Sequence, residues 1–191
     1  MPRDDHRRRP PLAGRCERKT RREIGVLVPA NAWRRKLEHK KVSAGTKLDL
    51  EVRRAADEET FDHVVFPQIP DAAVGSRVAN LWEYDVVECF LVGDSTYLEI
   101  ELGAGGHFLA LEFSAPRVRR NEYADFVPRL TFKASGDRWT STIIIPWHMV
   151  PQGLKALNAF VIVRDRFLAY HPTPGAAADF HQPSTFPSVS L

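Results

Sequence analysis

Hydrophobic and polar residues alternate along three consecutive short segments within residues 81–113. The segments are residues 82–92, 97–102 and 107–113, and Gly, Asp, Ser and Ala separate them. Short runs rich in Val, Ile, Tyr, Phe and Trp with turn residues between them are typical of antiparallel strands joined by tight connections. The pattern therefore predicts an antiparallel meander.

The alternation also sorts the side chains of the first two segments onto two faces, because successive side chains of a strand point to opposite sides. One face is apolar and is expected to be buried. The opposite face combines carboxylates with large aromatic rings: Trp82, Tyr84, Glu88, Glu99 and Glu101. Base rates favour a solvated outer face for any single Glu. A Trp on such a face needs a partner or a ligand, which favours a shallow polar-aromatic binding surface.

Further strands are predicted before and after the meander. The best-alternating or most apolar runs are residues 46–52, 130–134, 139–145 and 157–163. Residues 32–41 have a weak pattern that allows a short surface helix, and residues 114–128 resemble a loop. Six to eight short strands without a long helix predict an all-β fold, a single antiparallel β-sandwich of the jelly-roll or immunoglobulin-like kind over residues 46–191.

Charge is distributed unevenly along the 191 residues. Residues 1–41 carry a net charge of +9 and residues 42–191 a net charge of −6. The composition of the first part predicts a disordered basic tail up to residue 45, which also fits a nuclear-import or organelle-targeting segment. Because the excess of basic residues belongs to the tail, the domain itself is not expected to bind nucleic acid.

The remaining composition narrows the compartment and the chemistry. No apolar run approaches the roughly 20 residues that a transmembrane helix needs. Cys16 and Cys89 form no C-x-x-C pair, so neither a disulfide framework nor a thiolate zinc site is expected, and a reducing, cytoplasmic location is the default. No nucleophile elbow, phosphate-binding loop or dinucleotide fingerprint occurs in the sequence.

Several motifs in fixed order resemble a known group of proteins. They are LWEYDVVECF, YLEIEL, HFLALEF, WTSTIIIPW, LNAFVIVR and DFHQPSTFPSVSL. Together they resemble the family 9 carbohydrate-binding-module-like sandwich. They are more closely similar to a family of small uncharacterised proteins with an LW-[DE]-Y-[DE]-VVE signature, and the resemblance covers roughly residues 46–191.

The resemblance implies binding of a saccharide end. In the sugar-binding members two aromatic rings clamp the sugar and a Glu follows the first Trp by six residues, a spacing that Trp82 and Glu88 reproduce. The second aromatic ring lies near the C-terminus, where this chain offers Tyr170, Phe180 and His181 instead of a Trp. The chain also has Glu99 and Glu101 where those modules tend to have a basic residue.

The expected site therefore consists of the following ligand-binding residues: Trp82, Glu88, Glu99, Glu101, Arg164, Tyr170, Phe180 and His181. The leading hypothesis is non-catalytic binding of a carbohydrate or similar polyhydroxylated molecule. The alternative, favoured by the missing second Trp and the added acids, is a protein-interaction or scaffold domain that has lost sugar binding. A third hypothesis is a glycoside hydrolase that uses the Glu face, because Glu99 and Glu101 are expected to lie roughly 6.5–7 Å apart.

Metal binding and packing are two further roles open to these and neighbouring side chains. No metal ligand set is expected, since the His residues match no zinc signature. The resemblance to family 9 modules nevertheless allows calcium as a cofactor, held by Asp side chains and carbonyl oxygens of loops. For Trp82 packing and binding are equally favoured, whereas Trp147 is expected to be a packing residue. Arg164 either contacts the ligand or pairs with a carboxylate of the sheet.

Overall fold

The computed structural model describes residues 33–42, 45–54, 67–135, 138–164 and 166–189. For the first two of these ranges it describes the backbone and, of the side chains, only Leu48. Of the disordered tail predicted up to residue 45, residues 1–32 lie outside the described residues.

Within the described part of the chain, ten strands pair into two antiparallel sheets. The four-stranded sheet has the order β1-β2-β8-β7 and the six-stranded sheet the order β10-β9-β3-β4-β5-β6. The strands are β1 Trp33–Val42, β2 Gly45–Arg54, β3 Val86–Val92, β4 Tyr97–Gly103, β5 Phe108–Ala115, β6 Val118–Glu122, β7 Arg129–Ser135, β8 Arg138–Pro146, β9 Ala156–Val163 and β10 Arg166–Ala169. Short 3-10 turns lie at Leu81–Glu83 and Pro183–Thr185. The predicted all-β antiparallel sandwich is thus confirmed.

The two sheets pack face to face around one apolar core. Strand β8 alternates between buried and partly exposed residues, with Ile143 and Ile145 fully buried. From the six-stranded sheet, Cys89 and Ile100 meet them in the same core. The alternation in β8 shows that the four-stranded sheet has one covered face and one that faces solvent, as is common for antiparallel sheets.

The six-stranded sheet differs because both of its faces are covered. All residues of β3, β4 and β9 are buried, which explains why their sequences read as nearly continuous apolar runs. On the outer face a second apolar cluster forms around Phe90 and Phe160, and Phe180 and Phe186 of the C-terminal segment pack onto it. We call residues 179–189 the C-terminal strap, because this segment lies across the outer face.

Three of the ten strands depart from the sequence predictions. The short helix expected over residues 32–41 is wrong, since Trp33–Val42 forms β1 and pairs with β2. The four-stranded sheet therefore includes residues on the N-terminal side of residue 46. Strand β6 lies in the predicted loop over residues 114–128, and β10 follows β9 in a hairpin that the sequence did not predict. Among the described residues, no helix is long and apolar enough to span a membrane.

Candidate functional site

Three glutamates meet at the centre of the outer face of the six-stranded sheet. Glu88 of β3 lies directly opposite Glu101 of β4, and Glu99 is two residues away on the same face of β4. One carboxylate oxygen from each lies within 4.8 Å of the others. The exposed fractions are 2% for Glu88, 3% for Glu99 and 0% for Glu101. We call these three residues the carboxylate cluster.

This geometry confirms one part of the sequence prediction and corrects another. The three acids do share a face with aromatic rings, as the alternation indicated. The solvated outer face is wrong, and the shallow binding surface is wrong in its depth, because Glu88, Glu99 and Glu101 are all buried. The physical reason is the C-terminal strap, whose Phe180 and Phe186 rings cover the face from far along the chain.

Burial raises the free-energy cost of holding the carboxylate cluster together. Ionised carboxylates are costly to bury, and like charges at this separation disfavour one another. His181 is close to one of the three carboxylates, with its Nε2 3.8 Å from Glu99 Oε2. A shared proton, a protonated His181 or a bound cation would each lower the cost of holding Glu88, Glu99 and Glu101 together.

His181 is held in place by Tyr97 and by surrounding rings. Tyr97 Oη lies 2.8 Å from His181 Nδ1, and the backbone N–H of Arg117 donates to the same oxygen at 3.0 Å. Burial raises the pKa of Tyr97 to about 12, against the opposing effect of the Arg117 hydrogen bond. Tyr97 therefore keeps its proton near neutral pH, and both the Ala115 carbonyl oxygen at 3.4 Å and His181 Nδ1 are acceptors within reach. When Tyr97 donates to Nδ1, a neutral His181 carries its own proton on Nε2, the nitrogen that faces Glu99.

The Asp-Phe-His motif at residues 179–181 docks the C-terminal strap through three different contacts. Asp179 Oδ1 accepts a hydrogen bond from the Arg117 side chain at 2.7 Å and another from the His181 backbone N–H at 3.2 Å. The Phe180 ring stacks on Phe160 of β9 with the centroids 4.1 Å apart. The His181 ring contacts Phe90 edge-on at 5.5 Å. The motif thus joins the strap to the turn between β5 and β6, to β9 and to β3.

The two tryptophans singled out in the sequence occupy different environments. Trp82 is partly buried and packs against the outer-face apolar cluster. The guanidinium of Arg119 lies 5.8 Å from the centre of its ring, within the range of a cation–π contact. Trp147 is 37% exposed in the turn after β8, and its role as a packing residue stays a prediction.

Arg164 and Tyr170 lie at the β10 edge of the sheet, which β9 separates from β3. Tyr170 is 49% exposed. Arg164 occupies the turn between β9 and β10 with a φ of 58°, and its side chain is exposed. Because of the strand order, the structure does not gather these two residues with the carboxylate cluster, whereas Phe180 and His181 do reach the outer face beside it.

Sequence reasoning missed two polar residues that organise this region. Asp85 is buried and accepts hydrogen bonds from the backbone N–H groups of Arg164 at 2.7 Å and Gln68 at 3.1 Å. Burial raises the pKa of Asp85, although these two hydrogen bonds oppose the rise. The second residue is Tyr97, which holds His181 and whose role the sequence pattern does not indicate. The only signal in the sequence for Asp85 is its place within an apolar run.

The carboxylate cluster is also the one group of three potential metal ligands among the described residues. Its donors are all carboxylate oxygens, which suit hard cations such as Ca²⁺ or Mg²⁺. It differs from the calcium site of loop Asp side chains and backbone carbonyls that the sequence allowed, because all three ligands lie on strands. Calcium binding stays a prediction.

The fold is that of a β-sandwich similar to a candidate carbohydrate-binding protein from Bacteroides uniformis. The two structures superpose with a TM-score of 0.63 over 82% of this chain and 77% of that one, at 15% sequence identity. At that identity the likeness establishes the architecture alone. The chain matches no protein-family profile.

Curated relatives identify the family more closely. The chain is 36% identical over 139 residues to the mouse UPF0462 protein C4orf33 homolog, covering 65% of this chain and 70% of the mouse protein. It is 34% identical to human UPF0462 protein C4orf33 and 28% identical to the zebrafish homolog, each over 65% of this chain and 68% of the relative. The protein belongs to the UPF0462 family. The resemblance to small uncharacterised proteins is therefore confirmed, while kinship with family 9 modules in particular stays a prediction.

Proposed function

We propose that this domain binds a carbohydrate or a similar polyhydroxylated small molecule without transforming it, on the outer face of the six-stranded sheet. The observation that carries the proposal is the placement of Trp82 on the same apolar cluster whose centre holds Glu88, Glu99 and Glu101. An indole ring offers an apolar surface for a sugar ring, and carboxylates accept hydrogen bonds from hydroxyl groups. The fold it shares with the Bacteroides protein adds weak support.

Burial of the carboxylate cluster favours binding over hydrolysis. A glycosidase needs two carboxyl groups that flank the bond to be cleaved, about 5–5.5 Å or 6.5–9.5 Å apart. Here the carboxylates of Glu88, Glu99 and Glu101 cluster on one side, and none is more than 3% exposed. A glycosidic bond placed between two of them would have to displace the sheet's own packing.

A protein-interaction or scaffold role is the second candidate, and one observation favours it. Arg119 lies over the Trp82 ring and the C-terminal strap covers the cluster, so the closed structure resembles a filled site. A domain that has lost its ligand would be expected to fill the former binding face in this way. The two candidates predict different behaviour with sugars.

The test is a titration of the full chain with mono- and oligosaccharides, followed by intrinsic tryptophan fluorescence. We expect a saturable change that Trp82→Ala abolishes. Trp147→Ala is the matched control, since Trp147 is exposed in the turn after β8 of the other sheet. If no sugar perturbs the parent, or if both variants respond like the parent, the carbohydrate proposal is wrong and a protein partner becomes the candidate.

A further inference from the structure

The C-terminal strap is attached differently at its two ends and in its middle. At its far end the backbone is bonded to the sheet region: Leu157 N–H donates to the Pro187 carbonyl and Val189 N–H donates to the Lys155 carbonyl. Ahead of the strap, the Asn158 side chain accepts from and donates to the backbone of His171. These bonds fix both ends of the segment against the sheet.

Side chains hold the middle of the strap. The Arg117 guanidinium and Asp179 form an ion pair in which both partners are largely exposed, with 56% and 41% of their side-chain surface accessible. Tyr97 holds His181 through one hydrogen bond, and Phe180 lies on Phe160. Contacts of this kind can be broken and remade without separating any pair of strands.

The segment that leads into the strap is exposed over residues 174–177. The side chain of Gln182 donates a hydrogen bond to the Pro174 carbonyl at 3.1 Å. Gly175 has a φ of 118°, and a Cβ added there would meet only the Ala177 carbonyl oxygen, at 3.8 Å. A glycine with open space around it tolerates large changes in φ and ψ at low cost, so residues 174–177 are suited to act as a hinge.

We propose that the middle of the C-terminal strap is a gate, which lifts between the hinge and the bonded far end to admit a ligand to the carboxylate cluster and closes through His181. The closed position explains why Glu88, Glu99 and Glu101 are buried although they lie on the face proposed for binding. For the identity of its ligand this gate rests on the proposed function. Its opening is a property of the protein alone and can be measured without a sugar.

The experiment measures how readily the buried carboxylates react. The full chain is treated with a carbodiimide and an amine, and mass spectrometry gives the initial labelling rates of Glu88, Glu99 and Glu101 at low conversion. Glu83, which is exposed on the neighbouring 3-10 turn, serves as the internal reference. We expect slow labelling of the cluster in the parent, at a rate that depends less on urea than global unfolding does.

Two variants loosen the gate to different extents. His181→Ala removes the hydrogen bond to Tyr97 and the ring contacts, so we expect labelling of the cluster to accelerate about tenfold. Arg117→Gln breaks only the exposed ion pair with Asp179, for which we expect about a two- to fivefold increase and unchanged folding. Arg120→Gln is the control, since it breaks another ion pair, with the less exposed Glu112, that does not involve the strap.

The outcomes separate the gate from the proposed function. The gate is refuted if the carboxylate cluster is labelled no faster in Arg117→Gln than in Arg120→Gln, or if its labelling follows global unfolding in urea. This holds even if a sugar gives a saturable change in Trp82 fluorescence. If labelling accelerates as expected but no sugar binds any variant, the gate stands and the carbohydrate proposal fails. If both hold, a saturating sugar should slow labelling of Glu88 in the parent.

Discussion

Replacing Glu101 by Gln tests whether the carboxylate cluster lowers the stability of the fold. Glu101 is fully buried and lies directly opposite Glu88 in the β3–β4 pair. Glutamine has nearly the same shape and keeps one acceptor oxygen, so the substitution removes a charge with little change in packing. We expect Glu101→Gln to raise the free energy of unfolding near neutral pH.

The expected gain in the free energy of unfolding follows from the distances between the carboxylate oxygens. Two unit charges 4.8 Å apart repel by about 3.5 kcal/mol at an effective dielectric constant of about 20. Glu101 faces two such neighbours, but the other groups that contact the carboxylate cluster relieve part of the repulsion. We therefore expect a gain of about 1–3 kcal/mol near neutral pH.

Urea unfolding followed by tryptophan fluorescence measures the free energy of unfolding of Glu101→Gln and of the parent at one pH. Glu83→Gln is the control at an exposed acid.

The opposite result would have a clear meaning. If Glu101→Gln lowers the free energy of unfolding while Glu83→Gln does not, repulsion does not dominate and the reasoning is refuted. The same unfolding curves are then repeated with a chelator and with added Ca²⁺ or Mg²⁺. Stabilisation of the parent by the metal, absent from Glu101→Gln, would identify the carboxylate cluster as a cation site.

Two further substitutions test the polar residues around the site. Because burial raises the pKa of Tyr97 from 10.0 to about 12, stability should be lost as the pH rises through this window, by up to about 3 kcal/mol. Tyr97→Phe should lack that loss in alkaline urea titrations; an equal loss in both proteins would contradict it. Asp85→Ala leaves the backbone N–H groups of Gln68 and Arg164 without their acceptor and should cost about 2–4 kcal/mol in urea unfolding. The pKa of Asp85 is raised above its ordinary 3.8, so the parent should lose stability as the pH rises from about 4 to 7. The difference in free energy of unfolding between the parent and Asp85→Ala should therefore shrink over this range, and a growing difference would refute the argument.

The strands that the sequence predicted are mostly those inside the sheets. Alternation or continuous apolar character located β2, β3, β4, β5, β8 and β9, and also the edge strand β7. The three missed strands, β1, β6 and β10, all lie at sheet edges. Edge strands face solvent along one side and carry charged residues that discourage pairing with other chains. The sequences WRRKLEHKKV and VRRNE therefore lack the apolar periodicity on which the prediction depends.

The candidate site was predictable in its composition but not in its depth. Strand periodicity correctly placed Glu88, Glu99 and Glu101 on one face, because that inference needs only the parity of neighbouring residues. Burial depends on what covers the face, and the covering rings of Phe180 and Phe186 come from about 80–100 residues later in the chain. No local pattern reports a contact over that separation.

The location of the carboxylate cluster argues for a task beyond folding. A sheet that only needed a covered outer face could carry apolar residues there, because replacing buried charges by well-packed hydrophobic residues is often neutral or stabilising. Instead three acids occupy the central strands, and the Asp-Phe-His motif brings His181 to within 3.8 Å of one of them. Local rules of stability are most often broken at functional sites. The stability that Glu101→Gln restores would measure the energetic cost of keeping this cluster, and a large value would strengthen the case that a ligand or a proton acts there.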